Sequence, residues 1–113
     1  MSNQTTRIMY VECKSDRNDH GHARICRVRF SKSRRTIYLN GLVLQSLRGS
    51  GVSGNFIDIN TGIEYWVSGP KKNGEDRHWA GGGEVRIEPD VVDAYWRDIR
   101  GCDPPSNPLI AHP

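Results

Sequence analysis

The sequence is short of cysteine, of long apolar runs and of the motifs that mark catalysis. Its 113 residues hold three cysteines, Cys13, Cys26 and Cys102. An odd and sparse set does not suit a small secreted domain stapled by disulfides, so free thiols are expected. No stretch approaches the roughly 18 apolar residues of a membrane span, and Met1 to Arg7 lacks the apolar core of a signal peptide. A cytoplasmic protein with no membrane partner is the expectation. None of the motifs GxSxG, GxxxxGK(S/T) and HExxH occurs, which removes the familiar hydrolase, phosphate-loop and zinc-protease sites. Acidic residues are absent from position 20 to position 57.

What is present reads as one domain, since 113 residues leave no room for a second. Three Trp, four Tyr and two Phe supply bulky core material, which a disordered chain would lack. Twelve Gly and six Pro point to many turns and therefore to short strands. Residues 1–6 are polar and expected to be disordered. Residues 7–101 should form the β-rich domain. Residues 102–113 hold four prolines and read as a flexible tail.

Within the domain, side chains alternate as strands require. Met9, Val11 and Cys13 share one face of Arg7 to Cys13. Cys26, Val28 and Phe30 share one face of Ala23 to Ser31, and Arg27 and Arg29 share the other. Asn40-Gly41, between Thr36–Leu39 and Leu42–Leu47, is a strong hairpin signal, because both residues tolerate the positive φ of a type I′ turn. Asn60-Thr61-Gly62 suits a three-residue hairpin between Asn55–Ile59 and Glu64–Ser68. A last strand is expected at Glu84–Glu88. Period then switches: Val92, Tyr95, Trp96 and Ile99 form an apolar helical stripe, with Asp90 as cap and Gly101 as stop. The predicted fold is mostly β, a small antiparallel SH3-like barrel or curled meander of six or seven short strands. One C-terminal helix would cover an open end or edge.

Four constellations could carry function. The first is the loop Gly69–Gly83 with the strand before it: Tyr65, Trp66, Lys71, Lys72, Asp76, Arg77, His78 and Trp79. Loops of about 15 residues without structure of their own are uncommon and often functional. Charged groups and a tryptophan on a Gly/Pro-framed excursion suit a partner protein. His78 lacks a motif-bearing nucleophile, so the loop does not read as an active site. The second is a basic face of Arg24, Arg27, Arg29, Lys32, Arg34 and Arg35, the kind of patch that meets anions or nucleic acid. The third, Cys13, His20, His22 and Cys26, has zinc-ligand chemistry but not the spacing of finger or ribbon sites, so neither metal nor cofactor is expected. The fourth, Tyr95 and Trp96 on the helix stripe, reads as core.

The segment Ile63–Trp79 (IEYWVSGPKKNGEDRHW) resembles part of a family of small bacterial proteins of about this length. Arg7–Glu12 (RIMYVE), Ala23–Ser31 and Tyr95–Gly101 (YWRDIRG) carry the likeness onward in the same order, over most of residues 7–101. Members often bear a 1-deoxy-xylulose-5-phosphate synthase label, which cannot suit this chain: a thiamine-diphosphate enzyme needs several large domains. The resemblance supplies no catalytic residues. Small bacterial proteins without a catalytic motif are sometimes immunity partners of toxins. The expected function is therefore non-catalytic protein binding, by an immunity-type protein that binds and neutralises a bacterial toxin. The alternative is a small basic nucleic-acid-binding domain, and an enzyme working through His78 is the third reading.

Overall fold

A computed structural model describes residues 5–14, 23–49, 54–74 and 84–111. Its strands are β1 (Thr5–Cys13), β2 (Ala23–Phe30), β3 (Thr36–Leu39), β4 (Leu42–Ser46), β5 (Phe56–Asp58), β6 (Glu64–Ser68) and β7 (Val85–Ile87). Strands β1 to β6 run as an antiparallel meander, and β1 pairs with both β2 and β6. That last pairing closes the sheet into a six-stranded barrel, which removes the edges an open meander would leave. The expected mostly-β barrel with one short C-terminal helix is the observed architecture.

Turn chemistry fixes the register. Asn40 and Gly41 have φ of 45° and 83°, and Leu39 faces Leu42 directly across the hairpin. The β5–β6 turn is built on Asp58, which is almost wholly buried. Its carboxylate accepts the Asn60 N–H at 2.9 Å and the Thr61 hydroxyl at 3.0 Å, while Gly62 at φ 76° completes the turn.

Two cores lie on opposite faces of β1 and β2. Inside the barrel, Val11, Cys26, Val28, Phe30, Ile37, Leu39, Leu44 and Val67 pack together, with Met9 and Tyr65 against them. Outside it, Tyr10, Ala23 and Ile25 are also buried, under Val85, Ile87, Val91, Tyr95 and Trp96. The helical segment therefore covers a side wall, not an open end. The reason lies in β1 and β2, whose outward positions Ile8, Tyr10, Ala23 and Ile25 are apolar and need a cover.

The C-terminal third departs from the sequence reading in three ways. Strand β7 runs parallel to β2, pairing Ala23 with Val85 and Ile25 with Ile87, so it lies outside the antiparallel meander. The helical segment is a 3₁₀ turn (Pro89–Val91), one α turn, α1 (Val92–Ala94), and a π turn (Tyr95–Ile99). Asp90 makes no capping bond: Pro89 already takes the first helical position, so Asp90 sits inside the first turn instead of ahead of it. The Arg100 N–H reaches back to the Tyr95 carbonyl at 3.0 Å, and the widened turn accompanies burial of the adjacent Tyr95 and Trp96. Gly101, at φ 71°, stops the segment, with the Cys102 N–H on the Trp96 carbonyl at 2.9 Å.

Residues 102–111, expected to be a flexible tail, return to β7. The Ile87 N–H donates to the Leu109 carbonyl at 2.8 Å and the Ala111 N–H to the Val85 carbonyl at 2.9 Å. The indole N–H of Trp96 donates to the Pro108 carbonyl at 2.8 Å. Prolines keep the segment extended, and an extended segment can meet the free edge of β7.

Candidate binding face

Alternation on β2 and its neighbours gives the barrel one basic outer surface. On β2, Arg27 and Arg29 point outward and are exposed. On β3 the outward residue facing Arg29 is Tyr38, whose other neighbour is Val43 on β4; on β1 it is Thr6. Thr6, Arg29, Tyr38 and Val43 therefore form one row across four strands. The Arg29 guanidinium lies over the Tyr38 ring, 4.8 Å from its centroid. A cation–π contact at such an exposed site contributes about 0.5–1 kcal/mol.

A groove of about 470 Å³ crosses this face, lined by Thr6, Arg27, Arg29, Tyr38, Asn40 and Val43 among others. Asp90 closes one side, its Oδ2 4.0 Å from the Arg27 Nε. Both groups are largely exposed, so the pair is weak. The β2–β3 turn adds Lys32, Arg34 and Arg35, all exposed. The Ser46 N–H bonds to the Arg35 carbonyl, which places the start of β3 beside the end of β4, with Arg48 two residues on. Among the described residues, no ion pair engages Arg29, Lys32, Arg34, Arg35 or Arg48.

Arg24 does not join this face. It lies an odd number of residues from Arg27 and Arg29, so the alternation of β2 turns it to the other side, where it meets Glu88 at 3.3 Å. Thr6, Tyr38, Asn40, Val43 and Asp90 are among the lining residues that the sequence reading did not place on the face. The Asn40-Gly41 turn was the available signal, since it fixes which residues of β3 and β4 point outward with Arg29.

The loop constellation is described only in part. Asp76, Arg77, His78 and Trp79 lie outside the described residues, as do His20 and His22. Tyr65 and Trp66 alternate. Tyr65 turns inward against the barrel core, where burial pushes its phenol up from the usual value and the neighbouring Cys13 adds to the shift. Trp66 turns outward, 41% exposed, opposite Glu12 of β1. Lys71 and Lys72 are exposed on a turn closed by the Gly74 N–H on the Lys71 carbonyl.

One buried carboxylate invites a chemical reading. Glu12 is 8% exposed, accepts the Tyr10 hydroxyl at 2.5 Å, and receives the Lys14 ammonium at 2.8 Å. Tyr10 lies on the same strand and Lys14 directly follows its last residue, so the trio serves as the polar edge of the outer core. Among the described residues no group of three metal-ligating side chains converges, and no helix is long and apolar enough to cross a membrane. No protein-family model, curated protein or solved structure matches the chain.

Proposed function

We propose that this chain is a non-catalytic binding domain that engages another protein through the basic outer face of β2, β3 and β4. The observation that carries the reading is Arg29 stacked on Tyr38, beside Arg27, over a groove whose remaining lining is largely aliphatic or small and polar. Arginine and tyrosine around an apolar floor is the composition of protein interface hot spots. The acid-free stretch from position 20 to 57 makes an acidic partner the complementary one. An immunity-type role, with a bacterial toxin domain as the partner and the cytoplasm as the place, is the finer part of the proposal. It rests on small size and missing catalytic motifs.

Affinity capture with the wild type and with Arg29→Glu tests the reading. A partner identified by mass spectrometry should bind the wild type and weaken by about tenfold or more against the variant. Equal affinity for both proteins would overturn it. Lys32, Arg34, Arg35 and Arg48, grouped near one end of the barrel, favour a second reading as a nucleic-acid-binding domain. That reading predicts oligonucleotide binding that falls steeply with salt, measured by fluorescence anisotropy.

A further inference from the structure

The second edge of β2 is divided between two strands, and they do not meet. Strand β7 pairs with Ala23–Ile25, and β3 pairs only with Arg29 and Phe30. Cys26, Arg27 and Val28 fall between them. Successive residues of a strand offer their backbone groups to alternate edges. The Ser31 N–H bonds to Thr36 on the β3 side, and the Ile25 carbonyl accepts the Glu88 N–H on the β7 side. Arg27 shares that parity, so its N–H and C=O face the interval. No described residue bonds to them there. The interval opens onto the groove, which Arg27, Arg29, Asn40 and Asp90 line.

We propose that an extended acidic segment of a partner protein adds to β2 at this interval, pairing with the Arg27 N–H and C=O and setting its carboxylates against Arg27 and Arg29. The proposal rests on the protein-binding reading above and specifies its mode. Three strand residues span about 10 Å, enough for one short stretch of added strand. Backbone pairing gives such an addition its affinity, and alternate side chains give it specificity. Here the alternate side chains fall beside two cations, and among the described residues that line the groove the only carboxylate is that of Asp90. Asp90 stands where the incoming carboxylate would approach Arg27, and acts as an internal competitor for it.

The test is amide hydrogen exchange of the isotope-labelled full chain, read by NMR. The probe is a capped hexapeptide of alternating glutamate and valine, with a short oligothymidylate in parallel. In the free protein the Arg27 amide should exchange readily. Saturating peptide should slow it by about tenfold or more, as new backbone pairing does. Asp90→Asn should tighten peptide binding a few-fold, and Arg29→Glu should abolish it, with circular dichroism confirming that each variant folds. A slowly exchanging Arg27 amide in the free protein would overturn the proposal. So would a peptide that binds this face, lost with Arg29→Glu, while Arg27 exchange stays unchanged; the protein-binding reading would then survive. Oligothymidylate binding without peptide binding would overturn both.

Discussion

At Gly54 a side chain would compete for space with the backbone of Tyr65. A Cβ at this position would fall on the Tyr65 carbonyl oxygen, far inside contact distance. Only glycine lets the chain pass so close to β6. The next residue uses that closeness: Asn55 donates its side-chain N–H to the Val67 carbonyl at 2.7 Å and accepts the Val67 N–H at 2.8 Å, as a paired peptide group would. Gly54→Ala should therefore destabilise the fold by about 1–3 kcal/mol, measured by urea unfolding. The cysteines differ in the same local way. Burial pushes the Cys26 thiol up to about 12, whereas Cys102 is exposed. An alkylating reagent under native conditions should label Cys102 quickly and Cys26 only on unfolding, read by peptide mass spectrometry. The buried thiol also sets a pH dependence. Below about pH 9 folded and unfolded chains both keep the proton, and the stabilisation is complete. Between 9 and about 12 the unfolded chain releases a proton that the folded chain retains, so stability falls as pH rises. Cys26→Ala should flatten that alkaline decline in unfolding midpoints.

At the scale of elements, the strands and hairpins of the barrel were legible in the sequence because each carries local chemistry. Asn40-Gly41 and Asn60-Thr61-Gly62 announce their turns, and the alternation of Arg27 and Arg29 with Val28 and Phe30 announces an outer and an inner face. The C-terminal third was less legible, because its structure is decided by distant partners. Nothing local in Val85–Ile87 states that it will run parallel to Ala23–Ile25, and nothing in a proline-rich stretch names the edge it will meet. The same holds for the binding face. Its arginines were visible in the sequence, but the groove exists only because β3 leaves β2 after the Arg29–Tyr38 pair. The return of the tail hangs partly on one side chain. Trp96→Phe removes the donor to Pro108 while keeping most of the aromatic bulk. It should cost about 1 kcal/mol and raise hydrogen exchange at Ala111 and Ile87, whose amides bond across the tail–β7 contact.

For the molecule as a whole, the two cores meet at β1 and β2, which bury side chains on both faces. The cover over their outer wall comes from residues 85–111, which lie far along the chain from the wall they cover. During synthesis, Ile8, Tyr10 and Ile25 would leave the ribosome long before Val85, Tyr95 and Trp96. The barrel can close around its inner core in that interval, while its outer wall stays greasy and unprotected. A chain cut short at Gly83 should therefore be prone to self-association, even with every strand of the barrel in place, and light scattering of that fragment beside the full chain would reveal it. The parallel seventh strand and its helical turns work in this sense as a late-arriving lid, and the half-made protein is sticky until they emerge.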